Sequence, residues 1–339
     1  MRARLKRLAL ALLGMAVLAG AGLYGYATHD VRFASAPLTY DLKFGSNLRA
    51  VARELAAMGV VQQPLLFEIV GRLRGDAPLI KAGNYEFESP VSPLALLRKL
   101  TRGDATQAAI RFIEGWTLKQ VRQTLNAHDG LLHDTQGLSD DALAQKLGIA
   151  DGRLEGWFFP ESYHFVRGTS DLAVLRRAHR LMQKHLSVQW DKRDAAVPLS
   201  SPYEALILAS LVEKETGKAA DRPLVSSVLV NRLRLGMKLQ TDPTVIYGMG
   251  KDYNGNLRRR DLQADTPWNT YTRTGLPPTP IAMPGLASIK AAVNPPASSL
   301  LYFVARGDGS SHFSKTLDEH NAAVTRYIRA ARKSGSQGP

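Results

Sequence analysis

The stretch SPYEALILASLVEKETG, residues 201–217, puts two glutamates at the end of an otherwise apolar helix, and where each one points governs the reading of the whole chain. Ser201 can cap the first turn, Pro202 suits the first helical position, and Glu204 completes a capping box three residues after the cap. Gly217 supplies the stop. At about 100° per residue, Ala205, Ile207, Leu208, Leu211 and Val212 gather on one face. Glu215 lies about 20° from Leu208, inside that stripe, whereas Glu213 falls roughly 140° away. The spacing therefore singles out Glu215. Two readings stand at this point. A carboxylate on a core-facing stripe needs a partner or a task; alternatively the helix end frays and Glu215 hangs over the rim in water.

The chain has 339 residues, enough for a sizeable core and two domains. Its 44 Lys and Arg against 30 Asp and Glu leave a net charge of +14, which suits nucleic acid, an anionic membrane face or an acidic polymer. The N-terminus chooses among these. MRARLKR carries four basic residues, and residues 8–27 then run without a charge, long enough to span a bilayer core. A basic leader (residues 1–7) keeps the N-terminus in the cytoplasm and sends everything beyond the span (residues 8–27) outside. A cleaved signal peptide is the competing reading, because AGA at 19–21 resembles a cleavage site, although the apolar run continues past it. Either way the body is exported, and nucleic acid is not the expected partner. With no cysteine there is neither a lipidated cysteine anchor nor a disulfide framework.

Beyond the span, GSNLRAVARELAAMGVV (45–61) and PLLFEIVGRLRG read as amphipathic helices, NYEFE as a strand. Gly45, Leu48, Val51 and Leu55 match Gly115, Leu118, Val121 and Leu125, each seventy residues on. That is either a weak two-copy repeat or the ordinary likeness of capped amphipathic helices. LEGWFFPESYHF (154–165) reads as strand and loop, PLVSSVLVNRLRLG as a helix, KLQTDPTVIYGMG as a loop followed by a short strand or helical turn, and LLYFVAR as a buried strand.

Several chemistries drop out. The eight histidines show no zinc spacing, there is no G-x-S-x-G elbow, and thiol nucleophiles are absent. GMGK at 248–251 lacks the upstream glycine of a phosphate loop. No metal or cofactor is expected. A buried-side glutamate with two polar, aromatic loops remains, a composition suited to sugar: ring faces, hydroxyl partners and one acid for a leaving oxygen.

LASLVEKETG, NRLRLGMKLQTDPTVIYG, NTYTRTGLPPTPIAMPG and LYFVARGDGSSHFSKTLDEHN together resemble the YceG-like family of endolytic murein transglycosylases. LEGWFFPESY is similar to that family's aromatic segment, with Glu161-Ser162 where the family has Asp-Thr. The resemblance implies an α+β fold: an N-terminal membrane helix, a small LysM-like subdomain at 38–105 and a mixed α+β catalytic domain at 106–334. It also implies that Glu215 is catalytic, the residue the helical face selects. The implied reaction cuts the MurNAc–GlcNAc β-1,4 bond without water. Glu215 protonates the glycosidic oxygen and then deprotonates the C6 hydroxyl, which closes a 1,6-anhydro ring. Such a reaction needs no second carboxylate but does need a raised carboxyl pKa, which Leu208, Leu211 and Val212 would provide.

Gln240, Thr241 and Asp242 are candidates for binding sugar hydroxyls, with turn chemistry as their other reading. Asn269, Thr270 and Tyr271 match the family's N-T-Y segment, a polar pair beside an aromatic. Glu155 and Tyr163 either line the cleft or pack; Glu213 is expected to be solvated or ion-paired. The expected setting is the outer, periplasmic face of the inner membrane, on nascent glycan strands, coupled to peptidoglycan synthases and ending strand growth. Two alternatives stay open: a non-catalytic glycan-binding scaffold, which would tolerate loss of Glu215, and a hydrolytic muramidase with Asp242 as second carboxylate.

Overall fold

Short paired strands and longer helices make a mixed α+β structure. The computed structural model describes all residues except 1, 34–37, 44, 104–106, 150–151, 216 and 336–339. Residues 1–109 and 164–169 form one unit, residues 110–163 and 170–339 a second. The first holds α1 (Arg2–Thr28), β1 (Leu38–Leu42), α2 (Leu48–Ala57), α3 (Pro64–Leu73), β2 (Gly83–Phe87) and α4 (Pro93–Arg102). The chain passes between units within β3 (Gln107–Arg111) and again within β5 (Ser162–Val166). Between those strands lie α5 (Leu118–Asn126), β4 (Leu131–Leu132) and α6 (Asp140–Leu147). The second unit continues with β6 (Thr169–Ser170, of which Ser170 belongs to it), α7 (Asp171–Asp191), α8 (Pro202–Glu215), α9 (Arg222–Arg234), α10 (Asp242–Met249) and α11 (Arg259–Gln263). It ends with α12 (Leu286–Val293), β7 (Tyr302–Ala305), β8 (Ser311–Ser314) and α13 (Leu317–Gly335).

In the first unit β1 and β2 pair antiparallel, from Leu38 opposite Phe87 to Leu42 opposite Gly83. Asn47 caps α2 by accepting from the Ala50 N–H, and α2 then buries Leu48, Val51 and Leu55. A Cβ on Gly71 of α3 would meet Leu48 Cδ2 at 2.5 Å, so that glycine lets the leucine of α2 seat against α3. The apolar stretch Leu10–Thr28 of α1 has 19 residues and mean hydropathy 1.7, long and apolar enough to cross a membrane. Its end is tied down: Ala27 joins the core of this unit, and the Tyr26 hydroxyl donates to the Gln63 carbonyl at 2.9 Å.

The two copies seen in sequence occupy like positions. Gly45 and Gly115 both take left-handed backbone, at φ +84° and +78°, between a strand and a helix. Leu118, Val121 and Leu125 are buried in α5 as their counterparts are in α2. The resemblance is thus a shared strand–turn–helix.

In the second unit α8 is central, packed against α7, α9, α10 and α12. Every residue from Ala205 to Val212 is buried, so the single apolar stripe read from the sequence is in fact a helix enclosed on all sides. The Ser201 hydroxyl accepts from the Glu204 N–H at 3.2 Å, while the Glu204 carboxylate reaches the Ser200 N–H, one residue before the position a capping box predicts. Gly217 follows without left-handed φ. The core joins Leu206, Leu208 and Leu211 to Val225 and Leu229 of α9 and Ile289 of α12. The Ser226 hydroxyl crosses from α9 to the Ala291 carbonyl at 2.7 Å. KLQTDPTVIYGMG gives the helical alternative, α10. LLYFVAR forms β7, but as one strand of a two-stranded hairpin with β8; β7 itself is partly buried to exposed, with Phe303 packed on the core and α13 lying against both strands.

Candidate active site

Glu215 ends α8 and faces a cavity of about 370 Å³. The polar part of its wall is Glu215, Arg232, Gln240, Asp242, Tyr271 and His320; Leu239, Phe303 and Leu317 are among its apolar lining. Burial pushes the Glu215 carboxyl up to about 8, Asp242 pushes in the same direction, and Arg232 opposes both. The raised value fits the apolar surround expected around Leu208, Leu211 and Val212, all fully buried. It also has an electrostatic part, from Asp242, that helix periodicity does not show.

Arg232 is the main cation of this wall and was not singled out in the sequence. It lies in α9 and is only 8% exposed. Its Nε donates to the Leu301 carbonyl at 2.7 Å and its Nη1 to the Leu239 carbonyl at 2.9 Å and Gln240 Oε1 at 3.3 Å. The guanidinium also stands 5.1 Å from the Tyr302 ring centroid. A signal was present. Val225, Val228, Leu229 and Arg232 share a face at helical spacing, so an arginine continues an apolar stripe just as Glu215 does.

Two segments complete the wall, and several hydrogen bonds join them. The Gln240 N–H donates to the Thr270 carbonyl at 3.1 Å, and the Thr241 N–H to Thr270 Oγ1 at 3.0 Å. Thr244 Oγ1 lies 2.9 Å from Thr270 Oγ1 and donates to the Thr241 carbonyl at 2.7 Å. Gln240 takes φ +53°, a left-handed conformation costing a non-glycine residue about 1 kcal/mol, which this bonding holds in place. The Tyr271 hydroxyl donates to Asp242 Oδ1 at 2.5 Å.

The sequence candidates therefore divide. Glu215, Gln240, Asp242 and Tyr271 line one cavity. Thr241 and Thr270 are 2% exposed and act as the weld between the two segments. Asn269 is wholly buried. Its Nδ2 donates to the Leu262 and Ala264 carbonyls at 3.1 and 2.6 Å, and its Oδ1 accepts from the Tyr271 N–H at 2.8 Å. Every polar atom of that side chain is spent on backbone, so it positions Tyr271 instead of facing the cavity. Tyr163 is buried too, donating to the Phe159 carbonyl at 2.6 Å.

Glu155 lines a different cavity, beside Tyr247. Its carboxylate accepts from the Leu118 N–H at 3.0 Å and the Tyr247 hydroxyl at 3.1 Å. Burial raises it to about 7 against those hydrogen bonds. Glu213 is ion-paired: Oε1 sits 3.7 Å from Arg222 Nη2, and Oε2 accepts from the Gly285 N–H at 2.9 Å. A Cβ on Gly285 would fall 1.8 Å from Glu114 Oε1, so a side chain there would have to displace the Glu114 carboxylate.

In chemical terms the cavity offers one carboxyl group held protonated near neutrality, an anion and a cation that set its charge, and aromatic walls. That is equipment for proton transfer to and from oxygen.

A family model described as the YceG-like family matches residues 40–326. A Bacillus subtilis protein named endolytic murein transglycosylase is 32% identical over 332 residues, covering 92% of this chain and 91% of its own length. A Streptococcus pneumoniae protein of the same name is 28% identical over 329 residues, and the match spans 86% of this chain but 59% of that protein. Among solved structures, a yceG-like protein of Listeria monocytogenes aligns with TM-score 0.55 and 28% identity, over 85% of this chain and 99% of its own. Sequence motifs, matched length and fold agree: the chain belongs to the YceG-like family.

Proposed function

We propose that the protein is a membrane-anchored endolytic transglycosylase of peptidoglycan, and that it leaves 1,6-anhydroMurNAc ends. The observation that carries this reading is Glu215, whose carboxyl is raised to about 8 in a cavity walled by Asp242, Arg232 and Tyr271. At pH 7 a group of that pKa is roughly 90% protonated, whereas an unperturbed glutamic acid is almost wholly ionised. Protonated Glu215 gives its proton to the glycosidic oxygen as the C1–O bond breaks, and GlcNAc leaves with its hydroxyl restored. The resulting carboxylate takes the proton of the C6 hydroxyl of the same MurNAc. O6 then bonds to C1 and closes the anhydro ring. Glu215 ends protonated, and no water enters. Asp242 keeps the proton on Glu215 before the cut, and the Tyr271 hydroxyl holds Asp242 in place. Gln240 and Tyr271 are the proposed sugar contacts; Asn269, Thr241 and Thr270 position them.

The apolar Leu10–Thr28 helix supports a single-pass anchor, with the rest of the chain on the outer, periplasmic side of the inner membrane, where nascent strands and their synthases work. The β1–α2–α3–β2 order with its antiparallel pair supports reading residues 38–105 as LysM-like. Glycan contact by that unit would hold a strand near the anchor.

The test is Glu215→Gln. An amide can neither donate to the glycosidic oxygen as an acid nor accept the C6 proton, so anhydro product should fall by about 10²–10⁴-fold on purified peptidoglycan. Wild-type rates from this variant would overturn the mechanism by moving catalysis to another residue; no cleavage by the wild type itself would leave the glycan-binding scaffold. Asp242 on the same wall favours one other reading, a muramidase in which it activates water; reducing ends in place of anhydro ends would establish that.

A further inference from the structure

The cavity beside Glu155 is larger than the one at Glu215, at about 580 Å³, and the mechanism leaves it without a task. Tyr247 and Trp268 form one wall as an edge-to-face pair, centroids 5.5 Å apart at 63°. Both rings are fixed. The Tyr247 hydroxyl donates to Glu155, and Trp268 Nε1 donates to Thr279 Oγ1 at 2.9 Å. Rigid aromatic faces in an open cavity suit sugar rings, which present flat C–H surfaces. Lys119 and Lys251 stand exposed among the lining residues, placed for the carboxylates that peptide stems carry.

The same two segments wall both cavities. On α10, Asp242 lines the Glu215 cavity and Ile246 the second; four residues apart, they share one helix face about one turn along. On the neighbouring loop, Tyr271 lines the first and Trp268, three residues earlier, the second. The Glu155 carboxylate accepts from the Leu118 N–H and the Tyr247 hydroxyl, and these bonds fix the wall on which Tyr247 stands.

We infer that the second cavity is a remote glycan subsite, holding the uncleaved continuation of the strand whose bond lies at Glu215. This rests on the transglycosylase reading and adds to it a preference for length: strands that reach past the catalytic cavity are bound by both walls, short ones by one only. Long stem-bearing strands thereby gain binding that brings an interior bond to Glu215.

The test compares full-length protein in detergent on a tetrasaccharide and on long strands that keep their peptide stems. Ile246→Trp adds bulk to the lining of the second cavity, and Lys251→Glu reverses an exposed charge of that lining. Each should lower the ratio of kcat/KM for long over short substrate by about tenfold or more. Because Lys251 is exposed, its variant reports even where Ile246→Trp disturbs folding. A long-to-short ratio near one in the wild type, or one that Lys251→Glu leaves unchanged, overturns the subsite while transglycosylation stands. A wild type that cuts neither substrate overturns the activity and the subsite together.

Discussion

Replacing Glu215 by glutamine should stabilise the protein while disabling it, and the gain should depend on pH in a defined way. The folded carboxyl sits at about 8 against an ordinary value of 4.5. An acid whose folded pKa is raised contributes full stability below its unfolded pKa and loses it as pH rises through the folded one. Between these values the unfolded chain has released a proton that the folded chain retains. At pH 7 the window already crossed spans about 2.5 pH units, each worth about 1.4 kcal/mol, so the ceiling is on the order of 3 kcal/mol. Partial exposure of Glu215 screens the charge, which brings the expected gain to about 1–3 kcal/mol. Denaturant unfolding of wild type and Glu215→Gln, run side by side from pH 4 to pH 9, reads this directly. The two curves should nearly coincide at pH 4, separate through neutrality and run parallel above pH 8. A gap that does not change with pH, or a variant less stable at pH 7, would refute the burial of Glu215 as the source of its chemistry.

Other expectations follow from the same wall. Asp242→Asn removes an anion that disfavours ionisation of Glu215, so the basic limb of the kcat/KM profile should move to lower pH; a limb that stays in place removes Asp242 from the electrostatics. Asn269→Ala strips two carbonyls and the Tyr271 N–H of their partner and should cost about 2 kcal/mol in a melting experiment, with turnover falling as Tyr271 loses its support. Glu213→Gln keeps an acceptor for the Gly285 N–H but loses the charge facing Arg222. It should cost about 1 kcal/mol and leave cleavage within a few-fold, whereas an inactive Glu213→Gln beside an active Glu215→Gln would mean the catalytic roles are reversed.

Local signals carried the reading furthest where one residue broke a pattern. Glu215 stood out because a carboxylate interrupted an apolar face, and Ser201, Pro202 and Gly217 framed its helix. Arg232 broke a face of α9 in the same manner and could have been found by the same argument. α7, at 21 residues, is legible by ordinary periodicity, with Val174, Leu175, Ala178, Met182 and Leu186 recurring at helical spacing on its buried face. The loops were harder. Asn269, Thr270 and Tyr271 are adjacent in sequence, yet two turn inward to bond backbone and one faces the cavity. Nothing in residue type decides that; it follows from which carbonyls the folded loop leaves without partners. Glu155 shows the same limit at longer range, since its partners Leu118 and Tyr247 lie 37 and 92 residues away. The sequence marks such a carboxylate as unusual without saying which wall it serves.

The central claim is that Glu215 works with the substrate's own C6 hydroxyl and no water. Digestion of purified peptidoglycan in ¹⁸O-labelled water, followed by mass spectrometry of the new MurNAc ends, tests it most directly. The account predicts ends lighter by one water than reducing sugars, free of ¹⁸O, and absent from digests with Glu215→Gln. Reducing MurNAc ends carrying ¹⁸O would contradict it and assign the cut to hydrolysis.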